Sequence, residues 1–124
     1  MRDLGLAAWA TANDLNDRGQ VTGAVPVAEA VHAYRLRRGQ LADLDAADVP
    51  WSEGMAINEA GQVAGNSAPA PAAFNHAFPW SGGRRTDLGT LVGESSSAAG
   101  INDHGAVVGQ ATTAAGPLRA FLWR

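Results

Sequence analysis

The stretch "INDHG", Ile101 to Gly105, sets an Asn, an Asp and a His side by side. Such a group of oxygen and nitrogen donors could hold a metal ion or move a proton. A calcium loop, however, needs six or more oxygen ligands, usually with several carboxylates at alternate positions. Asp103 is the sole carboxylate here, and two related stretches, "LNDRG" (Leu15 to Gly19) and "INEAG" (Ile57 to Gly61), share only the Asn and the Gly throughout. Backbone geometry explains what is shared. In a three-residue hairpin loop, a type I turn is followed by a residue in the left-handed region. Asn16, Asn58 and Asn102 fit the start, where the side chain can accept from the N–H two residues on, and Gly19, Gly61 and Gly105 fit the left-handed slot. The three stretches therefore read as structural turns, with no metal and no cofactor expected.

The remaining polar candidates follow the same logic. His32 and His76 could ligate zinc or act as bases, but they align with each other and with Arg119 in successive repeats. Equivalent positions of stacked repeats lie on separate sheets and do not converge. A shared donor role, with the ring packed and its N–H bonded to a neighbouring sheet, is the expectation, and His104 should be solvated at a turn tip. Asp3, Asp43 and Asp87 are read as the start of a fourth strand, where a carboxylate caps backbone N–H groups. No Ser-His-Asp order, phosphate-binding loop or HExxH is present, so no catalytic residue and no enzyme activity are expected. Among the tryptophans, Trp80 and Trp123 alternate with core-facing residues and are assigned to packing. Trp9 and Trp51 fall in the links after the "DLG" blocks and are the candidates for stacking on a sugar. Asn75, at the end of the Pro69 to Asn75 loop, is added as a ligand-binding candidate.

The elements that carry these residues recur. Asn16, Asn58 and Asn102 are 42 and 44 residues apart, and Gly23, Gly65 and Gly109 keep that spacing. "HAYRL" (His32 to Leu36), "HAFPW" (His76 to Trp80) and "RAFLW" (Arg119 to Trp123) align, as do "RDLGL", "ADLDA" and "TDLGT" from Arg2, Ala42 and Thr86. "QVTGAV", "QVAGNS" and "AVVGQA" are alternating runs after a turn, the second arms of hairpins. Prolines in "APAAFNHAFPWSGG" exclude a helix at the equivalent of "VAEAVHAYRLRRG". Pro79, inside a third strand, should mark a bulge or an edge.

A repeat of this length matches a four-stranded propeller blade. The expected fold is all-β, with three tandem four-stranded antiparallel units resembling β-propeller blades; the alternative is a closed three-fold β-trefoil or β-prism. Residues 1–124 form a single repeat domain with units at about 8–44, 52–91 and 95–124, and a strand at 2–6 is positioned to complete the last unit.

Composition narrows the partners. The chain of 124 residues has a net charge of −3, and its nine cations, all Arg, are scattered apart from Arg37-Arg38 and Arg84-Arg85. Phosphate binding needs clustered cations, so nucleic acid is not expected. There is no cysteine, which removes disulfides and thiol chemistry. No apolar run approaches the roughly 18 residues of a membrane helix, and "MRDLGLAAWATAND" lacks the core of a signal peptide.

The blocks "HAFPWSGGRRTDLGTL" and "SSSAAGINDHGAVVG", with weaker copies at "HAYRLRRGQLADL" and "AINEAGQVAGNS", resemble the HAF family of probable extracellular repeats, found in bacterial proteins. The first unit departs from that pattern at Tyr34 and Leu36, and the third lacks the His. The resemblance implies tandem β-repeats at an extracellular or cell-surface location, and it carries no established activity over to residues of this chain. The functional expectation is a repeat scaffold that presents loops, among them Pro69 to Asn75 and Thr112 to Pro117, to a protein or carbohydrate ligand. A lectin-like carbohydrate-binding module is the alternative, and a homo-oligomer formed by shared blades or exchange of the N-terminal strand is a candidate assembly.

Overall fold

The computed structural model describes residues 1–45, 49–68, 74–86 and 88–124. Its regular elements are all strands, so the fold is all-β, and no helix is long and apolar enough to cross a membrane among the described residues. In chain order they are β1 (Thr11–Leu15), β2 (Val21–Val27), β3 (Ala30–Arg37), β4 (Gln40–Asp43), β5 (Trp51–Ile57) and β6 (Val63–Ala68). They continue with β7 (His76–Ser81), β8 (Arg84–Arg85), β9 (Val92–Ile101), β10 (Val107–Thr113) and β11 (Leu118–Trp123). Neighbours in sequence pair antiparallel from β1 to β4, again from β5 to β8, and again from β9 to β11. The first two meanders join into one sheet where Val31 of β3 pairs in parallel with Trp51 of β5, and β9 to β11 form a separate sheet. Strand order in both runs from edge to edge without closing into a ring.

Turn chemistry sets the joints. Arg38 and Gly39 take φ of 50° and 77° between β3 and β4, and Gly82 and Gly83 take 58° and 79° between β7 and β8. Positive φ at both central residues is what a two-residue hairpin loop needs to match strand twist. The hairpins β1–β2, β5–β6 and β9–β10 each carry a register shift, next to Asn13, Met55 and Ala99.

Opposite those shifts stand Gly23, Gly65 and Gly109. A β-carbon on any of them would fall well inside contact distance of a main-chain carbonyl, of Thr11, Glu53 or Ser97 respectively. The repeated glycine is therefore a close-approach residue. Replacing Gly65 by alanine should lower stability by about 1–3 kcal/mol, the usual cost of overpacking. Urea unfolding checks this, and a variant as stable as the parent would show that the hairpin can yield there.

Three expectations need correction. No strand forms at residues 2–6. Asp3 Oδ1 accepts the Gly5 N–H at 2.8 Å and Gly5 sits at φ 73°, a local turn that competes with extended pairing. Leu6 then packs on the Val25, Tyr34 and Leu36 cluster of the first meander, so this segment does not complete the last one. Asp43 closes β4 where it was expected to begin a strand, and Asp87 lies outside the described residues. Pro79 pairs with Ala64 without a bulge, and its carbonyl accepts from Thr86 on the β8 side. Its missing N–H faces that same outer side, where β8 is cut to two residues while β4 keeps four.

The core lies between stacked meanders. Ala64, Ala77, Ala98 and Val107 form one buried cluster, flanked by Leu88, Ile101, Phe121 and Trp123. Ile57, Val63 and Trp80 form another with Leu44. Small residues at the contact let the backbones approach, while Phe78 and Trp80 meet edge to face at 6.3 Å.

Candidate functional site

The Asn-x-x-Gly turns hold each other. Asn16 Oδ1 accepts the N–H groups of Arg18 and Gln20, each at 3.0 Å, and Asn102 Oδ1 accepts those of His104 and Ala106 at 3.0 and 2.9 Å. Gly19, Gly61 and Gly105 take φ of 75°, 80° and 82°. The side-chain amide then reaches outward. Asn16 Nδ2 donates to the carbonyl of Asn58 at 2.9 Å, and Asn58 Nδ2 donates to that of Asn102 at 2.8 Å. A parallel rail of bonds runs beside it, with the Asp17 N–H on Glu59 and the Glu59 N–H on Asp103, each at 2.9 Å. Asp103 is thus engaged as an acceptor, whereas His104 is exposed. Among the described residues no group of three or more His, Cys, Asp or Glu could hold a metal ion.

His32 forms a pair that periodicity did not reveal. It is buried, its Nδ1 lies 2.9 Å from Asp43 Oδ2, and its Nε2 lies 2.7 Å from the Val49 carbonyl. Asp43 belongs to β4 of the same meander, and Val49 precedes β5. Both ring nitrogens face acceptors, so the geometry fits the doubly protonated ring. Burial on its own lowers the His32 pKa. The Asp43 hydrogen bond, the Val49 carbonyl and the charges of Asp43 and Asp45 outweigh it and hold the pKa above the ordinary 6.5. Burial raises the Tyr34 hydroxyl, which donates to the Thr11 carbonyl at 2.7 Å.

Neither tryptophan candidate lines the clefts described below. Trp9 is 93% exposed at φ 71°, and Trp51 is half-buried at the head of β5. A cleft of about 480 Å³ at the junction of the first two meanders is lined by Arg35, Asp43, Asp45, Trp80 and Arg85. Its cations are committed to the fold: Arg85 pairs with Asp45 at 2.8 Å and lies over the Phe78 ring, and Arg35 donates to the Gly61 carbonyl.

Asn75 is placed differently. With Phe74, Ser95, Ser97, Gln110 and Leu118 it lines a cleft of about 320 Å³. A second cleft, of about 510 Å³, is lined by the same Phe74 with Glu94, Ser95, Thr112, Thr113 and Gly116. Phe74 is 45% exposed, so the end of one candidate loop meets the other candidate loop, Thr112 to Pro117, around an aromatic ring. Residues 69–73 of the first loop lie outside the described residues. Sequence reasoning passed over Phe74 and the Ser95 to Ser97 run; the available signal was an aromatic residue outside every aligned block.

Compared with known proteins, the chain matches no family model and no curated sequence.

Proposed function

We propose that the chain is a non-catalytic β-repeat scaffold of propeller-blade-like units, extracellular in setting, whose ligand site is the pair of clefts around Phe74. The observation that carries this reading is the meeting of two loops on one exposed ring, with Asn75, Gln110, Glu94 and Thr113 at its margins. The lining is largely polar around a single exposed ring, which suits a ligand that is itself rich in hydrogen-bonding groups. The succession of antiparallel meanders and the resemblance to HAF repeats are the grounds for the blade-like and extracellular parts.

A carbohydrate ligand is the second reading. An exposed ring beside amides, hydroxyls and one carboxylate can stack on a sugar face and bond its hydroxyls. Phe74→Ala and Asn75→Ala should each weaken capture of a glycan or protein ligand at least tenfold on arrays, with melting temperature unchanged. Trp9→Ala and Trp51→Ala should leave capture intact. Loss of folding in the Phe74 and Asn75 variants, or undiminished capture, would count against the site. Hits confined to proteins would remove the carbohydrate reading.

A further inference from the structure

We propose that two copies of this chain dock head to tail, the outer face of β9–β11 in one copy seating on the outer face of β1–β4 in the other. The contact repeats the one already made between meanders within the chain. Each meander offers its successor the same positions. Thr22 of the first lies where a β-carbon on Gly54 would stand, and Ala64 of the second shares a buried cluster with Ala98. The Ala33 N–H donates to Ser52 Oγ and the Ala77 N–H to Ser96 Oγ, each at 2.8 Å. Asn16 and Asn58 donate to the next turn's carbonyl, as described above.

On the third meander the same positions are bare. Val108, aligned with the buried Thr22 and Ala64, is 47% exposed, and Leu122 is 58% exposed. Ala120, aligned with the fully buried Ala33 and Ala77, is exposed as well. Asn102 Oδ1 serves its own turn, but Asn102 Nδ2 and the Asp103 N–H have no acceptor among the described residues. These are the donors that Asn58 and Glu59 use on their successor.

The first meander presents the matching half. Its Asn16 carbonyl takes only the Gly19 N–H among the described residues, while the Asn58 and Asn102 carbonyls take a second donor from the preceding turn. Asp17 occupies the place of Glu59 and Asp103, whose carboxylates accept from the preceding turn. Leu15 is 67% exposed where its equivalent Ile57 is buried, and Ala12 is exposed where Gly54 and Ala98 are buried. Apolar surface meets apolar surface, and two orphan donors meet two acceptors. One bond of the pattern is missing, because Ala10 stands where Ser52 and Ser96 supply a hydroxyl.

Joining unlike faces is a heterologous contact, which either closes into a ring or propagates. Two copies supply six meanders, within the range of about four to eight blades that close in a propeller. The proposal rests on meander stacking and not on what the Phe74 clefts hold, so the two can fail separately.

Sedimentation or light scattering on the full chain should give twice 12.7 kDa. Val108→Arg and Ala12→Arg, both at exposed positions, should each give monomers with unchanged circular dichroism. Mixing the two variants should restore an open dimer held at one junction, where the intact β9–β11 face of Ala12→Arg meets the intact β1–β4 face of Val108→Arg; the other junction carries both substitutions. A parental chain that stays monomeric at all concentrations would overturn the proposal. So would a dimer that survives either substitution. Masses rising beyond the dimer would overturn the two-copy ring.

Discussion

Replacing His32 by alanine should destabilise the fold by about 2–5 kcal/mol, the range for a core cavity combined with orphaned buried acceptors. The side chain is buried and donates to Asp43 on one side and to the Val49 carbonyl on the other, so its loss strands both. Its charge adds a pH dependence whose sign is fixed. The folded-state pKa lies above the ordinary 6.5 because Asp43, the Val49 carbonyl and Asp45 together outweigh burial. A raised pKa means that the folded state binds the proton more tightly than the unfolded chain. The stabilisation is full below the unfolded value and is lost as pH rises through the folded one. His32→Gln keeps a donor but cannot titrate. The stability gap between the parent and His32→Gln should therefore narrow as pH rises from about 5 to 9. Urea unfolding at several pH values reads this directly; a level gap would show that folding leaves the His32 pKa unshifted, and a widening gap would show that the ring is neutral in the fold.

Asn58 should be more sensitive to substitution than Asn102, whose amide reaches no further turn among the described residues. Its Oδ1 accepts from Gln62 at 2.9 Å, and its Nδ2 donates to Gln62 Oε1 at 2.7 Å and to the Asn102 carbonyl at 2.8 Å. The side chain is buried. Asn58→Ala removes all three bonds from a buried side chain, for an expected loss of about 2–4 kcal/mol at roughly 1 kcal/mol each. Asn58→Asp is the sharper test, since it preserves shape but points a carboxylate at two oxygens. It should cost as much as alanine at neutral pH and recover part of the loss on acidification, when one oxygen regains a proton. Asn102→Ala, made in the Val108→Arg background so that no second copy covers the turn, should cost only about 1 kcal/mol, as loss of a local turn bond does. Equal losses at Asn58 and Asn102 there would show that the turns do not depend on their neighbours.

Much of the local structure was legible because it is enforced within a few residues. An Asn followed three positions on by a Gly, between alternating apolar runs, has few low-energy conformations besides the hairpin turn. The 42 to 44 residue spacing then placed the all-β strands. The segment at residues 2–6 shows where such pattern matching fails. It shares the letters "DL" with the block at Asp43, and that block ends a strand and does not begin one: Asp43 Oδ1 accepts the Asp45 N–H as Asp3 Oδ1 accepts that of Gly5. Ring type and position in a link single out Trp9 and Trp51, but neither property says whether a link borders a cleft. Phe74 borders two.

By itself the sequence determined what depends on near neighbours: the turn residues, the alternation of the strands, the repeat and the absence of thiol chemistry. Tertiary structure decided what depends on how copies stack. Stacking turned the turn asparagines into a ladder, coupled His32 to Asp43 and Val49, brought two loops together at Phe74 and left Val108 and Leu122 bare. The physical reason is that hydrogen-bond partners and burial are properties of pairs. The partners here are 11 to 44 residues apart in the chain, where periodicity shows that positions are equivalent but not what they face.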